Sequence, residues 1–224
     1  MRTLTAGLLL LSSLGFAQTE TNRRLNNAAI VFEEIMGIAE RSIPQKILDK
    51  SHCVVVVPGL KKGAFIVGAK YGRGFVSCRN PSGAGWSAPG AVRVEGGSVG
   101  FQIGGSETDV IMLVMNEKGA DRLLSNKFTI GADASAAAGP VGRTAQAETD
   151  ATLRAEILTW SRARGVFAGI SLQGATLRQD RDALTDLYGT GVDNRQVVTG
   201  GKPVPEAAKK LIELLNRYSS RKSS

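Results

Sequence analysis

The sequence is short of the side chains that most catalytic and nucleic-acid sites are built from. It contains one histidine and two cysteines, and Phe, Trp and Tyr together make up only 5% of its 224 residues. His52 has no second imidazole with which to share a metal or relay a proton. At the head of an apolar run it suits a packed or capping role better than general base work. Sparse aromatics leave little for stacking on bases, and no nucleic-acid module is spelled out, so nucleic acid is not expected as a partner. No Walker-type phosphate loop occurs, and no Gly-x-Gly-x-x-Gly follows a strand. Asp180, Asp182 and Asp186 lack calcium-loop spacing and Arg181 intrudes between them, so no metal or other cofactor is expected. The chain reads as a non-enzyme, with a hydrolase of unrecognised site as the rival.

Long apolar runs are missing too. Beyond the N-terminus the longest, Val110 to Met115, is far short of the ~20 residues that a bilayer span requires. At the N-terminus, Met1-Arg2 gives a positive start, Ala6 to Leu14 an apolar stretch, and Gly15-Phe16-Ala17 a signal-peptidase site. Residues 1–17 are therefore expected to be a signal peptide cleaved after Ala17, leaving a periplasmic or secreted protein. An oxidising compartment permits a disulfide between Cys53 and Cys78. A hairpin centred near Lys61, however, sets Cys53 opposite a residue close to Ala69, well short of Cys78. The bridge and a pair of buried thiols both stay open.

What the chain has in quantity is glycine, valine and positive charge. The net charge is +8, and losing Arg2 with the leader leaves +7, which favours anionic partners. Val54 to Val57 are four β-branched residues in a row, the pattern of a strand buried on both faces, and Pro58-Gly59 stops the run. Lys61 and Lys62 then sit at a turn tip, and a second strand follows with glycines at 63, 68, 72 and 74. Lys61 and Lys62, with Lys70, Arg73 and Arg79 on that second strand, are the candidate basic patch. Each such residue near an anionic surface is worth about 1 kcal/mol. Alternation points Lys70 and Arg73 to opposite faces unless Gly72 makes a bulge, and solvated charges guarding an edge strand are the competing explanation.

Helical spacing marks residues from about Arg23 to Arg41, capped by Asn22, with Leu25, Ala28, Ala29, Phe32, Ile35, Met36 and Ala39 on one stripe. Ser42 and Pro44 start a short helix to about Asp49. Trp86 to Val94 is extended and Gly96-Gly97 turns the chain. Thr108 to Met115 reads as a central strand, and Asn116 caps a short helix. Gly131 to Ala147 has too few large side chains to bury much surface and is suited to close backbone approach. Glu156 to Trp160 is extended, residues from Val166 alternate as a half-buried strand, and Asp180 to Tyr188 is a helix stopped by Gly189. Residues 190–202 read as a linker, 203–218 as an amphipathic helix and 219–224 as a disordered tail.

Four pieces together resemble the SYLF-domain family. They are Val54 to Phe75, Gly85-Trp86-Ser87-Ala88-Pro89, the run from Gly131-Ala132-Asp133-Ala134-Ser135 to Gly139-Pro140-Val141-Gly142-Arg143, and Ser161 to Gly169. They fall in the family's order across roughly Leu25 to Gly189, so residues 18–189 are taken as the SYLF-like domain. The resemblance implies a lipid-binding module that engages anionic, phosphoinositide-like (phosphatidylinositol-type) head groups. Some eukaryotic members also bind actin, but an exported chain does not meet actin, so an envelope phospholipid membrane is the expected partner. The expected fold is α+β: a strongly curved, mostly antiparallel, glycine-rich, barrel-like sheet with flanking helices. An envelope structural or protein-interaction module with no lipid ligand is the alternative.

Overall fold

A computed structural model of the chain describes residues 6–38, 42–64, 67–81, 84–99, 104–140, 154–163, 166–169 and 172–219. The architecture grows from the valine run. Strand β1 (Cys53–Ala64) pairs antiparallel on one side with β2 (Val67–Cys78) and on the other with β4 (Gly104–Val114). Val54 and Val56 enter a core shared with helices, whereas Val55 and Val57 enter a second core on the opposite face. Burial on both faces is why the run is continuous rather than alternating.

Among the described residues the sheet has nine strands. Its order is β5 (Lys127–Thr129), β9 (Thr176–Gln179), β3 (Gly90–Val99), β2, β1, β4, β7 (Ile157–Ala163) and β6 (Ala136–Ala138), with β8 (Val166–Gly169) also on β7. All pairings are antiparallel except β6 with β7. Laid flat, the two ends of that order would stand about 34 Å apart at ~4.8 Å per strand. Yet β5 and β6 are joined by one tight turn. The Asp133 N–H donates to the Thr129 carbonyl at 2.8 Å and the Gly131 N–H to that of Ala134 at 2.8 Å. The sheet must therefore curl, giving the barrel-like α+β form expected. Val55, Leu60, Val92, Met112 and Phe128 fill its concave side.

Helices cover the outer face. α1 (Ala6–Gly37) buries Leu25, Ala28, Ala29, Phe32, Ile35 and Met36, the expected stripe, against β1 and against α4 (Arg181–Tyr188) and α6 (Lys209–Tyr218). It starts well before Asn22, because the Ala- and Leu-rich residues ahead of Asn22 are themselves good helix formers. Ala39 of that stripe and Arg41 lie outside the described residues. α2 (Gln45–Lys50) precedes β1, and α3 (Glu117–Leu123) is capped by Asn116, whose side chain accepts from the Gly119 N–H. Among the described residues no helix is long and apolar enough to cross a membrane.

Further local expectations change. Pro58-Gly59 does not end β1. It is a bulge at which the register shifts and Gly59 takes φ 60°, so the strand runs on to Ala64. A proline without an N–H is tolerated at a bulge, and the Gly59 N–H finds the Asp109 carboxylate at 2.9 Å instead of a ladder partner. Lys61 and Lys62 are thus within the central strand rather than at the hairpin tip. Cys53 consequently faces Cys78 directly, and the two form a disulfide. Second, Gly96-Gly97 lies inside β3. A Cβ at Gly96 would come within 3.1 Å of the Ala175 backbone, so this glycine permits close approach and not a turn. Third, residues 190–202 hold a helix, α5 (Asn194–Thr199), with a capping box between Asp193 and Gln196. Its Asn194 side chain accepts from the Ala91 N–H at 2.8 Å and donates to the Ala91 carbonyl at 3.0 Å. The last helix begins with a 3-10 turn at Glu206–Ala208, and Ser219, expected in the tail, is buried; residues 220–224 lie outside the described residues.

The small-residue segment does serve close approach over its described part. A Cβ on Gly139 would lie 2.1 Å from the Trp160 ring, whose Nε1 donates to the Pro140 carbonyl at 2.9 Å. Gly139→Ala is expected to cost about 1–3 kcal/mol through overpacking, read as a lower urea midpoint at unchanged slope.

Candidate functional site

The extension of β1 past its bulge fixes where the basic residues go. Lys62 and Lys70 are directly opposed across β1 and β2. Alternation from Leu60, which fills the concave core, places both on the concave side. Gly96 on β3 faces Lys70 and Ser106 on β4 faces Lys62, so the row across four strands is Gly96, Lys70, Lys62, Ser106. Small residues at both ends leave the two ammonium groups the only large side chains of the row. Both lysines are half-buried. Burial first, and then the neighbouring Lys70 charge, lower the Lys62 pKa. Directly opposed like charges are unfavourable, and an anion seated between them would remove that repulsion.

The other proposed patch members go elsewhere. Lys61 is exposed on the outer face. Arg73 also points outward, where its Nε lies 2.7 Å from Asp180 and its Nη2 3.0 Å from Asp182. Burial opposes its charge, but Asp180 and Asp182 outweigh that and raise its pKa. Asp180 is itself fully buried, and its side chain caps α4 by accepting from the Ala183 N–H. Arg79 stacks over Trp86 with its guanidinium carbon 3.9 Å from the ring centroid, donates to the Leu48 carbonyl at 3.2 Å, and also holds the Ser219 carbonyl and hydroxyl. Arg73 and Arg79 thus join the sheet to α4 and to the chain's C-terminal end. The structure brings together Lys62 and Lys70, and disperses the rest.

The three aspartates considered for metal are divided among separate partners. Asp180 and Asp182 serve Arg73, and Asp186 accepts from the Thr21 hydroxyl at 2.7 Å. No cluster able to hold a metal ion occurs among the described residues. Gly96, Ser98 and Gly100 satisfy the letters Gly-x-Ser-x-Gly, but Ser98 lies within β3 and not at the strand-to-helix turn that a nucleophile elbow requires. The His52 N–H donates to the Val114 carbonyl at 2.7 Å, and its own carbonyl accepts from the Arg79 N–H, continuing the strand ladder.

A second place was not legible in the sequence. Between α1 and the outer face of β1, β2 and β4 lies a cleft of about 430 Å³. Its floor is the Pro58-Gly59 bulge. There the Asp109 carboxylate accepts from the Gly59 N–H and from Arg162 at 2.7 and 2.9 Å, and Arg162 also meets Glu34 of α1. Burial pushes the Asp109 carboxyl up, against the Gly59 N–H, which holds it down. Arg23, Lys61, Tyr71 and Glu107 also line the cleft. They are far apart in the chain, and only the strand register joins them.

Residues 95–218 match the family model described as "Ysc84: Las17-binding protein actin regulator". The match runs through α5 and α6, so the stretches read as linker and last helix lie inside the family region. The chain is 35% identical over 182 residues to SH3 domain-containing protein PJ696.02 of Schizosaccharomyces pombe, covering 80% of this chain and 42% of that protein. It is 30% identical over 200 residues to SH3 domain-containing YSC84-like protein 1 of Rattus norvegicus, covering 87% and 58% respectively. It is 30% identical over 203 residues to Protein YSC84 of Saccharomyces cerevisiae, covering 89% and 42%. The chain spans about half the length of the curated relatives it matches.

Arg73→Ala leaves the buried Asp180 carboxylate with only the more distant Arg24 guanidinium, 3.9 Å away. The expected loss is about 3 kcal/mol in urea unfolding, partly recovered by adding Asp180→Asn.

Proposed function

The chain belongs to the Ysc84 family of SYLF-domain proteins, and on that premise we propose that it is a non-enzymatic module that binds anionic head groups at a membrane surface of the cell envelope. The observation that carries the reading is the Lys62 and Lys70 pair on the concave face, flanked by Gly96 and Ser106. A phosphate group presents several charged oxygens to two ammonium groups at once, and its entry relieves their mutual repulsion. Two lysines near an anionic surface contribute about 2 kcal/mol, and the chain's overall positive charge adds attraction at longer range. A phosphoinositide-like or other acidic phospholipid head group has the required chemistry.

The envelope location rests on the leader-like residues 1–17 and is supported by the Cys53–Cys78 disulfide, which suits an oxidising compartment. The matched family description names actin regulation and Las17 binding. For an exported chain the membrane takes actin's place as the partner. The exported protein is expected to begin at Gln18, as checked by mass spectrometry of its N-terminal peptide; a chain still starting at Met1 would remove the envelope assignment.

Co-sedimentation with neutral and anionic liposomes across a salt series tests the binding. The protein is expected to pellet only with anionic vesicles and to be released as salt rises. Lys62→Glu with Lys70→Glu should weaken association at least about 30-fold, the equivalent of ~2 kcal/mol. Equal binding to neutral vesicles, or none to any vesicle, sinks the proposal and favours a protein partner.

A further inference from the structure

The cleft under α1 lies on the opposite face of β1 from the Lys62 and Lys70 pair, and its charges sort into two groups. Arg24 is paired with Glu20, Arg73 with Asp180 and Asp182, and Arg162 with Asp109 and Glu34. Arg23, Lys61 and Glu107 also line the cleft but have no ion-pair or hydrogen-bond partner among the described residues. This is unexpected for Lys61 and Glu107, which are direct register partners on β1 and β4. Opposite charges so placed have Cβ atoms roughly 5 Å apart and ordinarily pair. Here the carboxylate is drawn aside over the bulge. A Cβ built on Gly59 would lie 2.5 Å from Glu107 Oε1, so the carboxylate occupies space that only a glycine leaves open. The cleft therefore offers a carboxylate and an ammonium side by side, with the Arg23 guanidinium besides.

Its flanks are apolar. Ile30 and Tyr71, 36% and 47% exposed, line the cleft and are two of the three large hydrophobic residues left exposed among the described residues. A purely anionic ligand would meet Glu107 as repulsion, and a purely cationic one would meet Arg23 and Lys61. A ligand that carries both charges satisfies all three groups. We propose that this cleft binds a zwitterionic amphiphile of the phosphoethanolamine class. Its phosphate lies against Arg23 and Lys61, its primary ammonium donates to the Glu107 carboxylate, and its apolar part covers Ile30 and Tyr71. A primary ammonium donates hydrogen bonds to a carboxylate and a quaternary one does not, so ethanolamine is preferred to choline. The volume of the cleft falls within the range of small-ligand sites.

The test is a titration of the full protein with short-chain dihexanoyl phosphatidylethanolamine below its micelle concentration, beside the phosphatidylglycerol and phosphatidylcholine analogues, followed by amide NMR. The ethanolamine lipid is expected to bind most tightly and to shift the Gly59 and Tyr71 amides. Glu107→Gln and Lys61→Gln should each weaken it at least about fivefold, the scale of one charge-assisted hydrogen bond. Glu107→Gln separates the alternatives, since removing a carboxylate strengthens binding of a purely anionic ligand. Unchanged or tighter binding by that variant, a preference for the glycerol lipid, or no shift at Gly59 overturns the proposal. Because Glu107 is exposed, lies on the other face from Lys62 and Lys70 and carries negative charge, Glu107→Gln should sediment with anionic vesicles no more weakly than the parent. Failure at one site is thereby distinguishable from failure at the other.

Discussion

Burial of β1 on both faces, with a hydrogen-bonded neighbour on each side, is the constraint on which the other elements depend. Its valines supply two cores at once, Val54 and Val56 beneath the helices and Val55 and Val57 inside the curl. Neither core is complete without the sheet's curvature. The concave side needs β5 and β9 brought round to deliver Phe128 and Leu177, and the convex side needs α1, α4 and α6 as a cover. The tight turn after Thr129 closes the first requirement, and buried polar links close the second. Arg73 ties β2 to the cap of α4, Asn194 ties α5 to β3, and Arg79 with Trp86 holds the Ser219 carbonyl. Such links cost desolvation and fix one packing arrangement by leaving no satisfactory partner elsewhere.

The Pro58-Gly59 bulge sets which charged side chains each face of this frame presents. By shifting the register it keeps β1 in the sheet for another turn of pleat, so that Lys61 and Lys62 fall on opposite faces. Lys62 joins Lys70 on the concave side. Lys61 joins Arg23 and Glu107 under α1, and the absence of a Cβ at Gly59 lets the Glu107 carboxylate stay clear of it. One irregularity thus produces two chemically different places: a pair of like charges, the proposed anion site, and a separated pair of unlike charges, the proposed site for a ligand carrying both. The two lie back to back across a single strand.

Local signals in the chain were enough for the buried valine strand, the α1 stripe, the Asn116 cap and the α+β class, because each rests on neighbours within a few residues, but not for α5, which the sequence reads as linker. The SYLF-like motifs were legible for the same reason. By itself the sequence also determined that positive charge would be available near Lys61. Only the tertiary structure decided which charges meet. Whether a Pro-Gly pair ends a strand or bulges it depends on the next strand offering a partner such as Asp109, fifty residues away. From that one decision follow the pairing of Cys53 with Cys78, the opposition of Lys62 and Lys70, and the withdrawal of Arg73 into the Asp180 ion pair. Periodicity specifies which face a side chain takes, but register across strands specifies its neighbour, and register is set by contacts that no local stretch of sequence contains.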